Sequence, residues 1–150
     1  MRPKCELALD IHPDESADIA LLQGGGWSLV DPVRVAGTPR AYRSYVQQSR
    51  AELCVAKNMY VETRGGWISD RSACYLASGK PVLAQDTGFS GTLPTGEGLL
   101  AFETEEQAVA GIEEVEGDYE RHSTAARELA EEYFDSDRIL GDLLARLRVG

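Results

Sequence analysis

Short apolar runs alternate with stretches of helical spacing along most of this chain. Leu7 to Ile11 reads as a strand, and Pro13-Asp14 opens a helix through Leu22 that stops at Gly24-Gly25-Gly26. Trp27 to Val30 is the next strand. Thr38-Pro39 starts a helix that sets Tyr42, Tyr45, Val46 and Ser49 on one face, most simply a packing face. Leu53 to Val55 returns as a buried strand. Ser69 then caps a helix with Ala73, Leu76 and Ala77 as its apolar stripe, ended by Gly79 and Pro81. The strand Val82 to Ala84 runs into Asp86-Thr87-Gly88, and a mobile loop rich in glycine, threonine and proline is expected from Asp86 to Gly98.

Leu99 to Phe102 is the last strand. Thr104-x-x-Gln107 is a capping-box pattern, and Ala108, Ile112 and Val115 form the buried stripe of the helix it opens. Two closing helices follow, from about Asp118 to Tyr133 and from Ser136, the second burying Ile139, Leu140, Leu143, Leu144 and Leu147. Strands alternating with helices, and apolar runs without strict alternation, predict an α/β fold: a doubly wound parallel sheet with helices on both faces and two C-terminal helices closing it. A single domain over residues 1–150 fits this length.

Composition changes the picture in three places. A formal net charge of −10, with no basic cluster to offset it, disfavours sequence-independent binding to nucleic acid and to anionic membrane surfaces. Three cysteines, Cys5, Cys54 and Cys74, are an odd number without a Cys-x-x-Cys pair; neither a disulfide framework nor a zinc ribbon is expected, and a reducing cytoplasm suits them. No apolar run approaches the ~18 residues of a membrane span, and the start has no signal-peptide pattern.

Candidate chemistry concentrates between Trp67 and Gly88. In open parallel sheets ligands bind outside the strand carboxyl ends, and a helix N-terminus favours phosphate, so Ser69, Asp70, Arg71 and Ser72 beside the strand end at Asp86, Thr87 and Gly88 form a candidate anion site. Other motifs have simpler readings. Asp135-Ser136-Asp137 is explained by Asp135 as a helix N-cap rather than as a metal motif. Gly79-Lys80 lacks the Ser or Thr of a phosphate loop, and Asp86-Thr-Gly lacks the β-rich body and second carboxylate loop of an aspartic protease. His122, among Glu120, Arg121 and Ser123, reads as a surface residue, and no metal site is expected.

The succession Gly-Trp-x-Ser-Asp-Arg-Ser, Tyr-Leu-Ala-Ser-Gly-Lys-Pro-Val-Leu, Asp-Thr-Gly and Gly-Glu-Gly-Leu-Leu resembles the C-terminal, donor-binding half of GT-B glycosyltransferases of the family 1 and 4 type. The likeness runs from about Leu7 to Leu147 and is closest from Trp67 to Phe102. It implies a Rossmann-like domain in which Ser69, Asp70, Arg71 and Ser72 line the diphosphate or sugar of a nucleotide-sugar, with Asp86, Thr87 and Gly88 at the neighbouring strand end. It implies a nucleotide-sugar as substrate, no further cofactor, and a separate or missing N-terminal acceptor domain without which the chain is inactive. Gly66 and Cys74 occupy the places where retaining members carry two glutamates. A non-catalytic, degenerate copy that docks on another protein is the alternative.

Overall fold

The computed structural model describes residues 5–147. They fall into two compact units, one ending at Gln48 and one beginning at Ser49. In the first, β1 (Glu6–Ala8) and β2 (Ser28–Val30) pair in parallel with Leu7 opposite Leu29, joined through α1 (Ser16–Gly24). Two short helices follow, α2 (Pro32–Ala36) and α3 (Pro39–Gln48). Asp31 caps α2 by accepting from the Val33 amide at 2.9 Å, and proline occupies its first turn, so the helix is locally encoded although its length hides it in the sequence pattern.

The second unit is built on a parallel sheet of order β3-β4-β5, with β3 at Glu52–Cys54, β4 at Val82–Gln85 and β5 at Leu99–Phe102. Val82 is in register with both Glu52 and Leu99. Alternation sends Leu83, Leu100 and Phe102 to one face, where they pack with Val115 of α6 (Glu105–Gly117) and with Leu53, Ala108 and Ile112. The opposite face meets α5 (Asp70–Ala77) and α7 (Tyr119–Tyr133), which pack on each other as well as on the strands. Helices therefore cover both faces of this parallel sheet, as the α/β reading requires. Leu76, Val82 and Leu99 are wholly buried, each contributing roughly 1.5–3 kcal/mol through burial.

Local signals set the element ends. The Ser69 hydroxyl accepts from the Arg71 amide at the head of α5. At its tail the Gly79 and Lys80 amides donate to the Leu76 and Tyr75 carbonyls, the paired bonds of a Schellman stop. Thr104 and Gln107 form the reciprocal capping box of α6. The glycine at position 98 is demanded by packing: a Cβ there would lie 2.3 Å from the Ala126 amide nitrogen of α7, at a φ of +72°.

Several expectations are corrected. The stripe that α5 buries is Ser72, Tyr75 and Leu76, whereas Ala77 is exposed. The connection from Asp86 to Gly98 is anchored rather than loose: Phe89 is 1% exposed, Thr87 is fully buried, and a short 3-10 turn spans Phe89–Gly91. His122 is fully buried, its Nδ1 accepting from the Gly98 amide at 3.3 Å, because the inward-facing position on α7 overrides its polar neighbours in sequence. The final helix, α8 (Ser136–Leu147), buries no residue; Ile139, Leu140, Leu143, Leu144 and Leu147 are all exposed. Amphipathic spacing dictates a sided helix, but a closing role also needs an opposing surface, and none in this unit covers the stripe. Among the described residues no helix is long and apolar enough to cross a membrane.

Candidate functional site

The segment between β3 and α5 brings the candidate residues together. In it α4 (Asn58–Thr63) carries Tyr60, whose ring stacks on Trp67 at 4.5 Å between centroids and 6° between planes. That stack holds the turn from Arg64 to Trp67 against the tip of β4. The Gly66 amide donates to the Thr87 carbonyl at 2.9 Å, and the Thr87 hydroxyl donates to the Trp67 carbonyl. The chain entering α5 is thus tied to the residue that leaves β4.

Asp86 is the centre of the strand tip. Its side chain is 6% exposed, and both carboxylate oxygens are occupied. Oδ1 accepts from the amides of Gly88 (2.9 Å) and Ser90 (3.4 Å), while Oδ2 accepts from the Ser90 hydroxyl (2.7 Å) and Arg64 Nη2 (3.1 Å). Burial alone would raise the pKa of this carboxyl, but the Ser90 hydroxyl, the two amides and the Arg64 charge outweigh it, and the net shift is downward. Arg64 itself adopts a left-handed backbone at φ +46°, an uncommon conformation for a residue with a side chain. Its carbonyl would stand 2.7 Å from a Cβ at position 88, so the room that Gly88 provides is filled by the protein's own backbone.

At the head of α5 the Asp70 carboxylate and the Ser69 hydroxyl both accept from the Arg71 amide, at 2.9 and 3.2 Å. The Arg71 side chain turns back to the sheet. Its Nε donates to Glu52 Oε1 and its Nη2 lies 3.5 Å from Cys54 Sγ. The Glu52 side chain is only 4% exposed, whereas that of Arg71 is half exposed and keeps N–H donors beyond these two. Burial would lower the Arg71 pKa, but the hydrogen bond and charge of Glu52 reverse this, so the guanidinium is firmly cationic. Burial, reinforced by the Glu52 charge, pushes the Cys54 thiol up and away from thiolate chemistry. Two buried polar atoms in this cluster, Glu52 Oε2 and Ser72 Oγ, have no hydrogen-bond partner among the described residues.

Ser69, Asp70, Arg71 and Ser72 thus share one helix head, and Asp86, Thr87 and Gly88 share one strand tip bonded to the turn before that head. Glu52 is the residue the sequence reading missed. It lies nineteen positions from Arg71, so only the sheet's pairing with α5 brings the two charges together. Gly66 and Cys74 supply no carboxylate: Gly66 is used through its amide, and Cys74 is an exposed thiol. Asp135 accepts from the Arg138 amide at 2.9 Å and so caps α8. Among the described residues no group of three or more His, Cys, Asp or Glu side chains is arranged to hold a metal.

An open groove of about 470 Å³ lies elsewhere, along α7, lined by Glu97, Asp118, Arg121 and Glu128 among others. Arg121 is already paired with Glu97 at 3.2 Å and Asp118 at 3.4 Å, which leaves the groove acidic and unsuited to phosphate. Comparisons with protein-family models, with curated proteins and with solved structures return no match.

Proposed function

We propose that this chain is a glycosyltransferase-like domain that binds the nucleotide-sugar donor of a glycosyl transfer enzyme, and that it is inactive by itself. The observation that carries this reading is the double tether from Thr87 to Gly66 and Trp67, which sets the tip of β4 against the turn leading into the head of α5. A helix N-terminus and a parallel-strand tip tied side by side are parts a diphosphate requires, and the half-exposed Arg71 is the cation carried by that helix head. The segments that support a donor-binding role by resemblance, from Trp67 to Phe102, are the ones that build this corner.

The chemistry then follows from charge. As the bond between sugar and diphosphate breaks, negative charge accumulates on the leaving phosphate. The partial positive charge at the head of α5 and the Arg71 guanidinium stabilise it. Glu52 keeps Arg71 from wandering but also offsets part of its charge, so ligand affinity rests on the guanidinium N–H groups that Glu52 and Cys54 leave unused. An acceptor site and a general base come from a separate N-terminal acceptor domain in this reading, and the cytoplasm is where donor and enzyme meet.

Titration with UDP-, GDP- and ADP-sugars, followed by thermal shift and calorimetry, tests the reading. Saturable binding of one of them is expected, and a ligand at 100 times its dissociation constant adds about 2.7 kcal/mol of stability. The paired variant Glu52→Gln with Arg71→Gln, which removes both charges but retains hydrogen-bonding groups, is expected to weaken that binding at least about tenfold. A folded chain that ignores all three nucleotides would end the donor-binding reading. It would leave the second reading, a non-catalytic docking module, which the lack of a carboxylate at Gly66 and Cys74 favours.

A further inference from the structure

We propose that α8 is a self-association element through which two copies of this chain pair as an antiparallel helical dimer. The stripe of Ile139, Leu140, Leu143, Leu144 and Leu147 repeats every four residues on one side of the helix, and each of these side chains is between 45% and 61% exposed. Together they present roughly 500 Å² of apolar surface, at the upper end of what a monomer ordinarily leaves uncovered. Two such stripes facing each other bury roughly 1,000 Å² before their polar flanks are added, the lower bound for a specific but weak interface. The inference is independent of donor binding.

Charge selects the second copy and its direction. Asp142 and Arg146 are one helical turn apart along one edge of the stripe, and neither is in an ion pair among the described residues. When two α8 helices run antiparallel about a two-fold axis, identical edges face each other with their ends reversed. Arg146 of each copy then meets Asp142 of the other, and the opposed helix dipoles attract. A parallel pair would set this edge against the opposite one, where Asp137 and Gly141 lie and Arg146 finds no carboxylate at its own height. Rim charges of this kind add little affinity, but they fix register and partner. The net charge of −10 repels two copies at long range, and physiological salt screens that repulsion beyond about 8 Å.

Sedimentation of the full chain in physiological salt, from low micromolar to near-millimolar concentration, is expected to show a monomer–dimer equilibrium. Leu143→Glu is expected to raise its dissociation constant at least about tenfold while leaving thermal unfolding of the second unit unchanged, since α8 buries nothing there. Should Leu143→Glu melt α8, the charge series carries the test, because it keeps every leucine. Arg146→Asp alone and Asp142→Arg alone each weaken the dimer. The double exchange restores it, and mixing the two single variants yields a heterodimer tighter than either homodimer. A chain that stays monomeric throughout, or a dimer indifferent to Leu143→Glu or to the charge exchange, overturns the proposal.

Discussion

Two buried carboxylates of one sheet, Glu52 at the start of β3 and Asp86 just past the end of β4, are treated very differently. Asp86 and Glu52 are both almost fully buried, and each is paired with an arginine about half exposed. Yet Asp86 receives four hydrogen bonds, two on each oxygen, three of them from the very turn it organises and one from Arg64. Glu52 receives its bond from Arg71 on one oxygen, and its other oxygen has no hydrogen-bond partner among the described residues. A fully satisfied buried carboxylate is a structural knot. One with a buried oxygen left unpaired costs stability, because that oxygen gives up hydration without gaining a donor. The comparison therefore gives Asp86 the work of holding the strand tip in shape and leaves the Glu52–Arg71 pair as a looser tie between β3 and α5.

The sharpest way to break this contrast is at Asp86. Asp86→Ala strands the amides of Gly88 and Ser90 and the Ser90 hydroxyl together, and a loss of about 3–5 kcal/mol is expected in urea denaturation. A loss below about 1 kcal/mol would show that the knot is solvated rather than structural. The next effect is Arg71→Ala, which leaves the Glu52 carboxylate buried and unpaired. Because Arg71 is half exposed, the expected cost is about 2–3 kcal/mol, below that of a fully buried pair. Smaller again is the joint change of Glu52→Gln with Arg71→Gln, expected to lie within about 1 kcal/mol of the parent, since the buried charge and its partner leave together. If the joint variant is instead as damaged as Arg71→Ala, the pair is structural and the contrast with Asp86 collapses.

How much of this was legible in the sequence depends on the range of the interaction. The Ser69 cap, the stop after Ala77, the Thr104–Gln107 box and the Asp135 cap are all contacts within a few residues, and each is found where its residue types announce it. The apolar runs Val82 to Ala84 and Leu99 to Phe102 are legible because a strand covered on both faces is an unbroken apolar run, and β4 extends one polar residue further, to Gln85. What fails is what depends on a distant partner. Glu52 looks like a polar residue at a strand edge until Arg71 reaches it from α5. His122 looks exposed until the Gly98 amide claims its ring. The α8 stripe is written plainly in the spacing, but its covering is not, because a periodic pattern specifies a face and says nothing of what lies opposite. The candidate site was half legible for the same reason: its two ends are local motifs, and the tether from Thr87 to Gly66 and Trp67 is tertiary.

Acid gives the finest test, because it acts on Asp86 without altering the chain. The folded-state pKa of Asp86 lies below its ordinary value, so the unfolded chain takes up this proton first as the pH falls. The stabilisation that Asp86 provides is fully present above the unfolded carboxyl pKa of about 4 and drains away as the pH falls through the lower folded value. Other carboxylates titrate over the same range, which is why the measurement is a difference. Denaturation at neutral pH and near pH 3 is compared between the parent chain and Asp86→Asn, which holds part of the geometry but has no proton to gain. The parent is expected to lose more stability on acidification than the variant. Equal losses would mean that the hydrogen bonds to Asp86 hold its neutral form as well as its charged one, and the knot would then owe its strength to shape rather than to charge.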